Sequence, residues 1–368
     1  MANKNFFTNL LLKIIKKLFE VPENLSTELS ELNNILIVRQ HNQLGDLLAG
    51  VSLFRAIKEK YPHSNIAIIL SKENFKGLLK NRFINELFVF DKTQLINPVY
   101  LLRFLKVLRR KYDAVFVPVT VSISFTSNLI ARFSNSKTRI GPNSLDGKLN
   151  DSNFLFDRRI DIDWRKHPDS HVADHILDLV RPFGIDTDNF TTEINFDEDD
   201  LAVAQKFLSE IKKDNSLVLI GLHIGAGKSQ NRLSLNKFIQ LIAVLNKNFN
   251  CTFFLTGSSA DDEELNYVIQ NSEIKLPVYK NKEITQVAAL ISLADLFITN
   301  DTGTMHIAGS TKTPQISIFG PTNPYNWAPV GSEKFFIRKS DLIDDITVED
   351  VYEIAKQIIQ SRIKNGNK

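Results

Sequence analysis

The side chains able to do chemistry gather in four short stretches. In Asn300-Asp301-Thr302-Gly303-Thr304-Met305-His306 a carboxylate and an imidazole flank a glycine, where an apolar run stops and a helical pattern begins. Free amides and the positive end of a helix dipole favour an anion at such a point. Thr302 stands where a helix cap would, and Gly303 lets a ligand come close to the backbone. In His223-Ile-Gly-Ala-Gly227 the amides of Gly225, Ala226 and Gly227 can wrap a phosphate, with Lys228 and Arg232 to supply positive charge. Thr256-Gly257, with Asp261 and Asp262 beyond, sets carboxylates past a strand end, where ribose hydroxyls can be held. Asp46 sits where another strand has ended and a helix starts. Any transfer to an alcohol requires the hydroxyl proton to be taken, and Asp46 is the general-base candidate, ahead of His41 and His306. Each stretch also has a purely structural reading: Asp46 and Asp301-Thr302-Gly303 as helix caps, Gly-Ala-Gly as a plain turn, Asp261 as cap charge, the histidines as hydrogen-bonded framework.

The elements that must position these residues follow from periodicity. Asn34 to Val38 reads as a buried strand, and Asn65 to Leu70, Leu87 to Phe90 and Asp113 to Pro118 as further strands, alternating with helices over Leu47 to Lys60, Val99 to Arg110 and Ser124 to Phe133. Such βαβ repetition predicts a parallel sheet. Thr138 to Ile140 reads as a further strand, and residues 141–171 as a loop whose Arg158, Arg159, Arg165, Lys166 and His167 are either solvated or form a basic lip for an acidic acceptor. Residues 172–184 read as helix, and the polar run from 185 to 200 marks a domain junction. The grammar then restarts: helix 199–213, strand Leu217 to Leu222, helix Leu235 to Lys247, strand Cys251 to Leu255, helices from Asp261 and Thr285, strands at Leu296 and Gln315, and a closing helix from Thr347 to Ile363. The expected fold is α/β: two Rossmann-like doubly wound domains facing across a cleft, residues 34–195 for the acceptor and 196–345 for the donor, with 1–33 an amphipathic helix and linker and 346–368 a terminal helix.

The chain has 368 residues, 43% hydrophobic and 24% charged, which suits two ordinary domains with sizeable cores. A net charge of +3 is a mild excess, and no nucleic-acid partner is expected. A single cysteine, Cys251, excludes a disulfide framework or zinc cluster within the chain and reads as a buried strand residue. No apolar run is long enough to span a bilayer. Residues 4–19 alternate Phe6, Phe7, Leu10, Leu11, Ile14, Ile15 and Leu18 with Lys4, Lys13, Lys16 and Lys17 at helical spacing. Such a basic amphipathic helix lies on an anionic membrane surface or packs on protein. The first loop carries one glycine, Gly45, and no Gly-x-Gly-x-x-Gly fingerprint, which counts against a nicotinamide or flavin enzyme.

The segment NDTGTMHIAGSTKTPQISIFGPTNP resembles the C-terminal signature of glycosyltransferase family 9, which includes the ADP-heptose:lipopolysaccharide heptosyltransferases. NILIVRQHNQLGDLLAGVSLFRAIKEKYP is similar to that family's opening strand, loop and helix, LIGLHIGAGKSQNRLSLNKF to its diphosphate-binding segment, and FFLTGSSADDEEL to its ribose-contacting one. The resemblance spans residues 34–330. It implies a GT-B fold, inverting chemistry without an essential metal or other cofactor, and a terminal helix packed back on the first domain. It implies Asp46 as catalytic base and Asp301 against the donor sugar, with Gly303, Thr304 and His306 near it. Three departures stand out. Asn231 occupies the position of the family's lysine, which leaves Lys228 or Arg232 to take its role; the Arg39–Asp46 loop is one residue longer; and the helix at 4–19 precedes the usual start.

The expected activity is therefore transfer of a sugar, heptose from ADP-heptose, to a lipopolysaccharide or related glycan acceptor. The expected setting is cytoplasmic, with residues 4–19 as the route to the inner face of the membrane. Its rivals are a sugar-nucleotide epimerase or hydrolase on the same fold and a non-catalytic nucleotide-binding relative.

Overall fold

The computed structural model describes residues 12–40, 43–73, 75–211 and 217–366, and the chain divides into two compact units, residues 1–190 and 191–368. The division falls at Phe190/Thr191, a few residues before the junction expected at 195.

In the first unit, helical residues 12–19 (α1) lead through an extended stretch into β1 (Asn34–Arg39), α2 (Leu44–Lys60), β2 (Asn65–Ser71), β3 (Glu86–Phe90), α3 (Pro98–Arg109), β4 (Tyr112–Phe116), α4 (Phe125–Phe133), β5 (Ser136–Leu145), β6 (Lys148–Leu149), β7 (Arg158–Ile162) and α5 (Val172–His175). The sheet runs β3-β2-β1-β4-β5-β6, with β7 also paired to β5; all pairings are parallel except β5 with β6. Ile35, Leu36, Ile37 and Val38 are all fully buried, as a central parallel strand covered on both faces requires. Connections from β3 out and back to β4 make β1/β4 the point where strand order reverses, and ligands bind at strand ends beside such a point.

Residues 141–171 are not a loop. Strand β5 continues to Leu145, a short hairpin follows, and β7 joins the sheet. The cations there serve the fold: Arg158 donates to the Asn24 carbonyl (3.1 Å), Arg159 to the Val21 carbonyl (3.0 Å), and Arg165 pairs with Asp163 (2.7 Å). Arg158 and Arg159 thereby tie down residues 21–24, while Arg165, Lys166 and His167 are exposed. The helix expected over 172–184 breaks after His175 into two 3-10 turns, because Pro182 cannot continue an α-helix and Gly184 turns left-handed at φ 66°.

The second unit contains α6 (Glu198–Ile211), β8 (Val218–His223), α7 (Leu235–Asn248), β9 (Cys251–Gly257), α8 (Asp262–Asn271), β10 (Val278–Lys280), α9 (Ile284–Ser292), β11 (Leu296–Asn300), α10 (Gly303–Gly309), β12 (Gln315–Ile318), α11 (Pro324–Trp327), β13 (Lys334–Ile337) and α12 (Val348–Gly366). Its sheet is wholly parallel in the order β10-β9-β8-β11-β12-β13, with β8/β11 as the reversal point. Helix α12 supplies the expected terminal helix. Its Val351, Ala355, Ile358 and Ile359 are buried in the second unit's own core with Leu241, Leu245 and Ile316, where each large side chain contributes about 1.5–3 kcal/mol by its burial.

Among the described residues no helix is long and apolar enough to cross a membrane. Residues 4–11 of the expected amphipathic helix lie outside the described residues.

Candidate active site

Asp46 is the third residue of α2 and only 2% exposed. Gln43, not Asp46, occupies the cap position, so the helix-cap reading of Asp46 fails. Its carboxylate instead accepts a hydrogen bond from the Thr120 hydroxyl (2.7 Å), on the chain leaving β4. Arg39, the last residue of β1, is fully buried and donates from Nη2 to the Asp46 main-chain oxygen. Burial holds the Arg39 guanidinium down at about 10, and the charge of Asp46 works against that shift. Nε and Nη1 of Arg39 have no hydrogen-bond partner among the described residues. Three segments thus meet at the β1/β4 reversal point to hold one carboxylate beside one buried cation. Arg39 and Thr120 were not foreseen, and His41, a rival base, lies outside the described residues.

The second unit gathers its candidates at the ends of β8, β9, β11 and β12. Asn300, fully buried at the end of β11, organises them: its amide donates to the carbonyls of Ile224 (3.0 Å) and Gly225 (3.1 Å), and its oxygen accepts from the Leu233 amide (3.2 Å). That staples the Gly225-Ala226-Gly227 turn to β11. Gly225 is required there, because a Cβ would overlap Asp261 Oδ1, whereas a Cβ on Gly227 would meet nothing within 4 Å. Asp261 caps the short turn before α8, accepting from the Ser258 amide (2.7 Å) and hydroxyl (2.9 Å). Its cap role is therefore real, while its other oxygen lies over Gly225. Gly257 has a packing reason: a Cβ there would be 2.8 Å from Leu265.

His223 ends β8 buried, with Nδ1 3.0 Å from the Thr256 carbonyl oxygen. Burial pushes its imidazole below the ordinary value, and Asp261 opposes this. It joins the Gly225 and Asp261 loops and was not singled out from sequence.

Asp301 follows β11. Burial raises its carboxyl above the usual range, against the Thr322 hydroxyl and the charge of Lys228, which lower it. Asn231, in the position of the family's lysine, donates to Asp301 Oδ2 (2.8 Å), while Asn231 Oδ1 is buried without a partner among the described residues. Arg232 is ion-paired with Glu264, so it is not a free cation. Lys228 is exposed, and its charge acts to lower the Asp301 carboxyl. Thr302 holds the cap position of α10, yet its side chain makes no cap hydrogen bond and its buried Oγ1 has no partner among the described residues. The amides of Gly303 and Thr304 open the helix, where no carbonyl a turn earlier can satisfy them. His306 stacks edge-on to Trp327 at 6.4 Å. The second unit therefore brings amides, a half-buried carboxylate, a lysine and two unsatisfied side-chain oxygens to one sheet end. Among the described residues no three His, Cys, Asp or Glu side chains group as a metal site.

Residues 101–350 match the model of glycosyltransferase family 9 (heptosyltransferase). The chain belongs to this family. Family 9 relatives include lipopolysaccharide heptosyltransferase 3 of Escherichia coli, 26% identical over 307 residues that cover 77% of this chain and 82% of that one. Among solved structures, a family 9 glycosyl transferase from Veillonella parvula aligns with a TM-score of 0.79 at 20% identity, covering 91% of this chain and 100% of that chain. The E. coli ADP-heptose lps heptosyltransferase II aligns with a TM-score of 0.72 at 18% identity, covering 89% of this chain and 99% of that chain. The expected GT-B class of two Rossmann-like units is borne out, and the protein is a glycosyltransferase.

Proposed function

We propose that this family 9 enzyme transfers heptose from ADP-heptose to a lipopolysaccharide-type glycolipid with inversion, using Asp46 as general base. Asp46 takes the acceptor hydroxyl proton as the oxygen attacks the anomeric carbon from the face opposite the diphosphate. The bond from that carbon to the diphosphate oxygen breaks, ADP leaves with the electron pair, and Asp46 returns its proton to solvent. The amides of Gly225 to Gly227, those of Gly303 and Thr304, and Lys228 stabilise the charge on the departing diphosphate. Thr302 Oγ1 and Asn231 Oδ1 complete their hydrogen bonding on the donor, and Asp301 accepts from a sugar hydroxyl. His306 stands beside this group, and Gly257 and Asp261 border the nucleoside end.

The observation that carries this reading is the buried Asp46 carboxylate, clamped by Thr120 and backed by Arg39. E. coli relatives named for lipopolysaccharide and ADP-heptose support the donor and acceptor class. Calorimetric titration with ADP, UDP, GDP and CDP tests the donor: selective ADP binding is expected, and preference for another nucleotide replaces ADP-heptose while leaving the base. Incubation with ADP-heptose and a heptose-free lipopolysaccharide core should release ADP only when both are present. Equal release without acceptor would mark a hydrolase instead.

A further inference from the structure

The outer side of α3 carries Val99, Leu102, Arg103, Lys106 and Arg109, spaced so that one arc of a 3.6-residue helix holds them all. The opposite arc, Phe104, Val107 and Leu108, is buried in the core of the first unit. The outer arc is unusually apolar for solvent: Val99 is 64% exposed, Leu102 67%, and Ile96 just before the helix 93%. From Lys92 to Tyr112 there is no acidic residue. Arg103, Lys106 and Arg109 have no ion-pair partner among the described residues, and Arg110 is matched by Glu86. Between α3 and the edge strand β3 lies a cavity of about 520 Å³, lined by Leu87, Val89 and Tyr100 together with Arg103, Lys106 and the Glu86–Arg110 pair.

A second element of the same character lies on the same face of the sheet. Ile130 and Ala131 of α4 share the core cluster of Phe104 and Leu108 of α3, and the chain after α4 bonds to α3 through the Asn135 amide and Leu108 carbonyl (2.8 Å). Phe19, at the end of α1, packs edge-on against Phe133 of α4 at 5.1 Å, and Arg132 donates to the Phe19 carbonyl (2.7 Å). This leaves Ile14 49% and Leu18 66% exposed, with Lys13, Lys16 and Lys17 exposed beside them.

We propose that this face of the first unit, centred on Ile96, Val99, Leu102, Arg103 and Lys106, docks on a bilayer carrying anionic head groups. Apolar side chains standing out among unpaired cations match the boundary between acyl chains and anionic phosphates. A water-soluble polyanion would need the cations and leave the three exposed aliphatic side chains unexplained. The proposal stands apart from the donor assignment: it needs neither ADP nor heptose.

The test is co-sedimentation of the full chain with vesicles of phosphatidylcholine alone and with phosphatidylglycerol added, at low and raised salt. The wild type should sediment with the anionic vesicles only, and less at raised salt. Arg103→Glu with Lys106→Glu should weaken this at least twentyfold, given about a fivefold effect for each cation near such a surface. Val99→Asn with Leu102→Asn should weaken it further at raised salt, where the apolar contact carries the binding. Circular dichroism and thermal unfolding of each variant check that it is folded, and Arg103→Gln with Lys106→Gln takes over if the reversed pair is not. Unchanged sedimentation of the α3 variants, equal binding to neutral vesicles, or loss only on deleting residues 1–20 would overturn the proposal. So would dimerisation through this face without lipid binding.

Discussion

Replacing Asp46 by Asn keeps the side-chain volume and an oxygen for the Thr120 hydroxyl, but removes a negative charge from a site that is 2% exposed. Two effects are then superimposed. Catalysis loses its proton acceptor, which costs about a hundredfold to ten-thousandfold in turnover. Stability falls because Arg39, fully buried and already held down at about 10 by burial, loses the charge that supports its cation. Arg39 hydrogen-bonds the Asp46 main-chain oxygen, so the carboxylate reaches it through Coulomb attraction alone. The coupling therefore belongs within the range for neighbouring residues, about 1–3 kcal/mol. At about 2–4 °C per kcal/mol for units of this size, Asp46→Asn should melt roughly 2–12 °C lower. Removing the cation as well separates the two effects. The pair Arg39→Met and Asp46→Asn should recover most of the melting temperature lost by Asp46→Asn and none of its turnover. The assays are thermal unfolding of the four proteins of the cycle and ADP release with donor and acceptor. Additive stability losses would refute the charge coupling. Turnover of Asp46→Asn within tenfold of wild type would refute the base.

Asp301→Asn should raise the melting temperature at neutral pH. Burial lifts the Asp301 carboxyl above its unfolded value, so the ionised form costs stability at neutral pH, a cost relieved as pH falls through the raised folded value. Melts from neutral to acid pH should show the gain vanish there, while binding of the sugar nucleotide weakens more than binding of ADP. Asn300→Ala should destabilise the second unit by about 1–3 kcal/mol for each buried group left unpaired, since it frees the Ile224 and Gly225 carbonyls and the Leu233 amide; denaturant unfolding measures this, and a loss under 1 kcal/mol would show the staple is idle. Gly225→Ala should lower both melting temperature and ADP affinity because its Cβ meets Asp261, whereas Gly227→Ala, with open space around it, should lower affinity alone. Calorimetry that finds ADP binding untouched in Gly227→Ala would remove that glycine from the phosphate cradle. Cys251, half-buried at the start of β9 and not fully buried as expected, has a thiol that burial pushes up to about 12, so it should react with a disulfide reagent more slowly in the native than in the unfolded protein; equal labelling rates in the two states would contradict that environment.

The central strands were legible because a parallel strand covered on both faces is an apolar run, as Ile35 to Val38 and Leu296 to Ile298 are. The edge strands of the second unit were not. β10 and β13 are three and four residues long, too short to show a period. β5 reads SKTRIGPNSL, with polar residues on both faces and a proline, yet it forms ten residues of sheet because β4 and β7 flank it. The site divided in the same way. Asp46, Asp301 and the Gly-Ala-Gly turn announce themselves at strand ends. Their supports come from far along the chain: Thr120 lies 74 residues from Asp46, and Asn231 lies 70 from Asp301. Arg232 offered a cation in sequence and is neutralised by Glu264 in the fold, a pairing that only the packing of α8 creates.

The two units place a carboxylate at equivalent points, Asp46 buried and Asp301 half-buried, each beside the reversal in its sheet, and then surround them differently. Asp46 has a hydroxyl on one oxygen and a buried guanidinium near by. Asp301 has the Asn231 amide, the Thr322 hydroxyl and the field of Lys228, yet burial still lifts its carboxyl. Its ionised form is thus incompletely satisfied, and hydrogen bonds from sugar hydroxyls would supply what is missing. On the proposed mechanism a base must be held in one place through each turnover, which the Thr120 hydroxyl does for Asp46. A carboxylate left short of donors suits recognition, because the ligand gains by completing it. The proposed division of labour, base in the first unit and sugar contact in the second, rests on these environments more than on the residue type.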